Sequence, residues 1–293
     1  MRGEPAGRGR VTVPRPYLLA SLATLVLAAV ASAVGLFVPG FYRDAAVLVP
    51  QARGQDLLTF VLVVPVLAVS LYYARGGSLR AYVVWLGVTG YLLYTYASYS
   101  FLTSFNRLYL VYVALFALAL FTLVGGTARL DAAALSRAVG GRPVRAYVAF
   151  EVLVPVLVGG LWLAEIVPAV VANTVPPSTV EAGIPVNVIQ SLDLGVVVPA
   201  FLLTAYLLYR GRPWGYAFTG ILLVKGTTLG LAILAMIGFL VADGQSVPAP
   251  QIAIFAVLSL LGLVLVVRFV RAIGVERPPE HVPGPSPWPG RRR

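Results

Sequence analysis

The residue best placed to do chemistry in this chain is Lys225, its only lysine, ten residues into an apolar run spanning 215–241. A helix over that run would carry the ammonium about 15 Å from its inner end, close to the middle of a bilayer. The other basic residues are all arginines. A lysine can shed its proton on burial, which a guanidinium effectively cannot. An ammonium held there could therefore alternate between pairing with a carboxylate and binding a solute or releasing a proton. Candidate partners are Glu165 in the outer half of the run 146–170, and Asp193 and Asp56 at the outer starts of 191–209 and 57–74. In the run 81–101, Tyr91, Tyr94, Thr95 and Ser98 recur at helical spacing, and Tyr91 lies too deep for an interfacial belt of the kind expected of Tyr99 and Phe101. Arg107, in a short outer link, is placed to pair with Glu165 or Asp193. Gly226 and Gly230, directly after Lys225, have the spacing that lets a second helix approach closely.

Each of these residues also has a structural reading. Asp56 suits a helix N-cap, and Asp193 suits the first turn after a Ser191 cap, where a carboxylate complements exposed N–H groups. Glu165 could be a neutral carboxyl joining helices, and Lys225 a buried structural salt bridge. Glu151, near Arg142 and Arg145 at the inner end of its run, reads as an interfacial acid at a helix start. Polar groups at mid-bilayer cost at least about 2.5–3.5 kcal/mol on insertion scales, so all of them need an explanation.

Much chemistry is excluded. With no cysteine, the chain has no disulfide, thiolate metal site or cysteine nucleophile, and its one histidine, His281, lies in a proline-rich tail. No GxSxG or other nucleophile–base motif is visible. No cofactor, no metal and no enzymatic activity are expected.

The elements that must position these groups follow from composition. The chain of 293 residues is 59% hydrophobic and 11% charged, with mean hydropathy +0.88, whereas soluble domains carry about 25% charged residues. Its solvent must be lipid. Eight runs are long enough to cross a bilayer, at 17–39, 57–74, 81–101, 108–126, 146–170, 191–209, 215–241 and 250–272, and each must be helical because hydrocarbon offers backbone groups no partner. The fold class is an all-α polytopic membrane bundle of eight transmembrane helices. Residues 1–16 form a basic N-terminus, 17–126 a first half, 127–145 a linker, 146–272 a second half and 273–293 a disordered Pro/Arg-rich tail. Within the linker, Leu130 to Val139 suits a short amphipathic helix on the membrane surface.

The net charge of +11 is a topology signal rather than a nucleic-acid signal, since 18 of 21 arginines fall on one side. Both termini are thereby placed in the cytoplasm. Ala31-Ser32-Ala33 gives the first run some likeness to a cleavable signal peptide, but the apolar stretch continues to Val38, which favours a retained span.

The loops repeat a rhythm of long outer, tight inner and short outer connection, and Val63-Val64-Pro65 with Tyr82 matches Val197-Val198-Pro199 with Tyr216. Two four-helix halves of one orientation are the implied arrangement. In that alignment Lys225 corresponds to Tyr91. Pro65, Pro155, Pro168 and Pro199 fall within spans, where each removes a backbone hydrogen bond.

Gln55-Asp56-Leu57, the stretch Gly90 to Tyr96, Phe105-Asn106-Arg107-Leu108 and Arg212 to Tyr216 followed by Val224-Lys225-Gly226 together resemble a family of uncharacterised bacterial integral membrane proteins. The resemblance runs from about Val38 to Ala242 and implies eight spans and no particular activity.

Three function classes are compatible with this pattern. A small-solute or proton-coupled secondary transporter would use Tyr91, Glu165, Asp193 and Lys225 as a polar site between the third, fifth, sixth and seventh helices. A non-transporting module (sensor, assembly factor or subunit) would present Gly226 and Gly230 to a membrane partner or a second copy. An intramembrane enzyme or a retinal-type protein, with Lys225 as Schiff base, has least support.

Overall fold

The structure, a computed structural model, describes residues 12–140 and 143–274. Among the described residues every regular element is helical. In chain order they are α1 Arg15–Phe37, α2 Leu48–Arg75, α3 Leu79–Phe101, α4 Tyr109–Ala128, α5 Ala132–Val139, α6 Arg145–Ala172, α7 Pro177–Glu181, α8 Val188–Tyr209, α9 Pro213–Ala242 and α10 Ala249–Ala272. The basic stretch 1–11, the tail from 275 onward and Arg142 lie outside the described residues.

Seven helices (α1, α2, α4, α6, α8, α9 and α10) are long and apolar enough to cross a membrane, one fewer than the sequence led us to expect. The remaining long helix, α3, has the length, at 23 residues. Its tyrosines, threonines and serines lower its apolarity, and nearly all of them point inward: Tyr82, Tyr91, Thr95, Tyr96, Ser98 and Tyr99 are buried. Large apolar side chains instead line the outer surface, with Val171, Leu110 and Phe121 each at least 70% exposed. That distribution suits a lipid surroundings, which does not force apolar groups inside.

Several helix starts differ from those expected. The loop after α1 enters helix already at Leu48, so Asp56 is an interior helical residue and not an N-cap. The cap of α8 is Asn187, whose side chain accepts from the N–H groups of Ile189 and Gln190, rather than Ser191. The linker helix forms over Ala132–Val139 behind an Asp131 cap, but its apolar face (Ala132, Leu135, Val139) is buried against α9 and α10 instead of lying on open membrane.

Three helices contain a wide π turn, at Thr59–Val63 in α2, Pro155–Gly159 in α6 and Asp193–Val197 in α8. The first and third each open six residues before a proline, Pro65 or Pro199. Proline lacks an N–H and its ring clashes with the carbonyl four residues earlier. Inserting one residue into the preceding turn relieves that clash without breaking the helix, and such turns recur at functional sites.

Helix α9 is the axis of the bundle: 61% of its most apolar window is buried, against 28–33% in the other six apolar helices. Small residues let its neighbours close in. A Cβ on Gly87 of α3 would strike Val224, and one on Gly54 of α2 would strike the backbone at Met236. Contacts between α3 and α9 advance together, from Val83 with Gly220 to Gly90 with Lys225, so these two helices run parallel. On the far side of α3, the Tyr82 hydroxyl donates to the Gly126 carbonyl of α4 at 2.8 Å, and Trp85 Nε1 donates to Ser21 Oγ of α1 at 3.0 Å. Gly54→Val should force α2 away from α9 and cost about 1–3 kcal/mol by overpacking, read as a lowered unfolding midpoint of the detergent-purified protein.

Candidate functional site

Four long helices converge on Asp193. It opens the π turn of α8 and is buried. Tyr94 of α3 donates its hydroxyl to Oδ1 at 2.8 Å, and Trp162 of α6 donates Nε1 to Oδ2 at 2.9 Å. Lys225 of α9 lies over the ring of Tyr94, its Nζ 4.3 Å from the centroid. The ammonium thus sits over the face of the ring whose hydroxyl holds the carboxylate, and the two charges attract. A cation over an aromatic face is favourable by about 0.5–2 kcal/mol, more when dry. Nζ itself is buried and has no hydrogen-bond partner among the described residues. A buried cation with three unclaimed hydrogens beside a carboxylate with both oxygens engaged is equipped to hand over a proton or accept an oxygen-bearing guest.

A second polar network lies between α1, α2 and α3, toward the C-terminal ends of α1 and α3. Asp56 accepts from Tyr42 Oη at 2.5 Å and Tyr99 Oη at 3.1 Å. Tyr99 is therefore buried beside a carboxylate rather than in an interfacial belt, whereas Phe101 is exposed as that belt requires. Gln55 donates to Thr95 Oγ1 at 2.7 Å, and Thr59 pairs with the hydroxyl of Tyr91 at 3.0 Å. Tyr42 belongs to the loop before α2, where burial first, and then the charge of Asp56, hold its hydroxyl well above the usual tyrosine range. The folded state therefore keeps this proton where an unfolded chain would lose it. Stability from this group is complete below about pH 10 and declines as pH rises past that value. Removing the hydroxyl strips one donor from a buried carboxylate, so Tyr42→Phe should cost about 1.5–3 kcal/mol and blunt that alkaline decline in a pH series of thermal unfolding.

The other expected residues are held elsewhere. Glu165 is only half-buried and ties the C-terminal part of α6 to α7 and α8: it accepts from Ser178 N at 2.8 Å, Ser178 Oγ at 3.0 Å and Gln190 Nε2 at 3.0 Å. Its partners are polar side chains and a helix start, not Lys225. Arg107 is exposed and pairs with neither Glu165 nor Asp193, whose oxygens are taken by Ser178 and Gln190 and by Tyr94 and Trp162. Tyr91 and Asp56 sit in the network of the first half. Gly226 packs toward Phe201 of α8 and Gly230 toward Ser259 of α10, so that small-residue face is used within the chain.

Two participants were not singled out from sequence. Trp162 lies in a largely apolar run whose two acids drew the attention, and the only hint is that a buried indole N–H needs an acceptor. Tyr42, in an irregular loop, carried no signal. Glu151 also departs from expectation, being 0% exposed rather than reaching for the interface. Among the described residues no group of three or more His, Cys, Asp or Glu could hold a metal ion. Comparison with known proteins yields no relative: no family model, no curated protein and no solved structure matches the chain.

Proposed function

We propose that this integral membrane protein is a proton-coupled secondary transporter of a small solute, with Lys225 and Asp193 as its coupling pair. We further propose that it spans the bacterial cytoplasmic membrane eight times, α3 included, with both termini in the cytoplasm, as the resemblance to an eight-span bacterial family implies. The observation that carries the transport reading is the buried ammonium of Lys225, unpartnered by hydrogen bonds yet 4.3 Å from the Tyr94 ring whose hydroxyl holds Asp193. Intramembrane ionisable groups are costly and face the bundle interior, where they line ion and proton pathways in pumps and transporters.

A duplicated architecture is part of the proposal. The π turns of α2 and α8 precede Pro65 and Pro199 by the same interval, and α3 runs parallel to α9. At corresponding positions the first half holds Thr59 with Tyr91, a closed hydrogen bond of 3.0 Å, where the second holds Asp193 with Lys225. At that position the first half would then carry a neutral pair and the second its charged counterpart. The partner-binding module is the weaker reading, because Gly226 and Gly230 are already covered by α8 and α10.

The test uses the full chain in liposomes with a trapped pH indicator and an imposed proton gradient. Amino acids, small carboxylates and small amines are added one at a time. At least one solute should change the internal pH, and that change should be lost in both Lys225→Met and Lys225→Arg, since arginine keeps the charge without releasing a proton. A panel in which no solute moves protons, or a Lys225→Met protein as active as the parent, rejects the transporter.

A further inference from the structure

The least accounted-for group in the molecule is Glu151. It lies on the inward face of α6, with Tyr147, Phe150 and Val154, and is 0% exposed. Neither carboxyl oxygen has a hydrogen-bond partner among the described residues. An ionised carboxylate in that position would carry an uncompensated buried charge, which is prohibitive in a low-dielectric interior. The polar side chain facing it is Thr219 of α9. Thr219 is itself fully buried, and its hydroxyl donates to the Gly215 carbonyl at 2.8 Å. With that hydrogen committed, Thr219 Oγ1 can only accept, which suits a carboxylic acid O–H on Glu151 and not an ionised carboxylate.

Among the described residues no counter-charge is bonded to the carboxyl. On its own helix stand Arg145 and Tyr147, and on the helices packed around it Tyr206 and Tyr209 of α8, Tyr216 and Lys225 of α9, and Arg268 and Arg271 of α10. None of them donates to it. Asp193 is engaged by Tyr94 and Trp162.

Position gives this carboxyl a use. Glu151 is six residues from the start of α6, and Thr219 is six from the start of α9, so both lie about 9 Å in from the face at which those helices begin. Lys225 is six residues further along α9, about 9 Å deeper. We propose that Glu151 is a proton-binding site, a neutral carboxyl that exchanges its proton with the solution on the α6 and α9 entry face and stands between that face and the Lys225–Asp193 pair. The proton transfer is a simple one: Glu151 O–H releases its proton to water entering from that face and takes one back, with no other bond changed. Its coupling role rests on the transporter reading, but its proton occupancy does not.

Infrared difference spectroscopy of the full-length protein in liposomes tests the occupancy directly. A carbonyl band of a protonated carboxyl should be present near neutral pH, vanish in Glu151→Gln, shift on transfer to heavy water and fade as the pH is raised. If Glu151→Gln does not fold, Glu151→Asp should move the band rather than delete it. Spectra identical in parent and variant would show an ionised or unoccupied Glu151, and a band that never responds to heavy water would show a sealed structural carboxyl; either result overturns the proposal. The spectrum is read whether or not any solute is carried, so failure of the transporter leaves this test intact. If transport is found, Glu151→Gln should lose proton-driven accumulation while retaining solute exchange at equal pH, and unimpaired accumulation would overturn the coupling role.

Discussion

Replacing Asp193 with asparagine should destabilise the protein by about 3–5 kcal/mol, the cost of breaking a buried charge pair from one side. The substitution preserves shape, and Tyr94 and Trp162 can still donate to the amide oxygen, although only one oxygen remains for two donors. What is lost is the negative charge that attracts Lys225. The ammonium, buried and without hydrogen bonds, then has only the ring. Adding Lys225→Met to Asp193→Asn should recover most of the loss, because the stranded charge disappears with it. Equilibrium unfolding of the two single variants and the double variant in one detergent measures this coupling. Additive losses would show that the two residues do not form a pair.

The second large effect is expected at Trp85. This indole is fully buried in α3, meets Tyr82 edge to face at 5.0 Å and donates to Ser21 of α1 at 3.0 Å. Trp85→Ala should leave a cavity on the α1 side of the bundle and cost about 3–5 kcal/mol. Ser21→Ala keeps the packing but orphans the indole N–H, for a smaller loss of about 1–3 kcal/mol. The ratio of the two shifts in thermal unfolding separates volume from hydrogen bonding. Equal losses would mean that α1 is held by the single hydrogen bond and not by the ring.

Long apolar runs and arginine placement were enough to read an all-helical membrane bundle and its connections. Lys225 and Asp193 stood out for the same reason, since any charge in an apolar run requires an explanation. The exact partners were hidden by the π turns. A regular helix advances 100° per residue, so one inserted residue in α8 turns Asp193 to a different face relative to everything after Pro199. Periodicity cannot reveal such a shift. Asp56 was misplaced because its helix begins eight residues earlier, inside a polar loop segment, Leu48 to Gln55, that resembles no membrane span. Glu165 and Arg107 were grouped with Lys225 on charge alone. The short α7 supplies Ser178, which together with Gln190 satisfies Glu165 near its own loop.

The length of α9 has a further consequence. Its 30 residues make a rod of about 45 Å, half as long again as a hydrocarbon layer of about 30 Å is thick. Such a rod must lean, or else push its ends through the headgroups. Because α9 carries Lys225 while α8 carries Asp193 and runs the opposite way, any change in lean slides one charge past the other. Lipid chain length should therefore act as a dial on this protein, and the rate of the proposed proton-linked uptake should differ between short-chain and long-chain vesicles of the same headgroup.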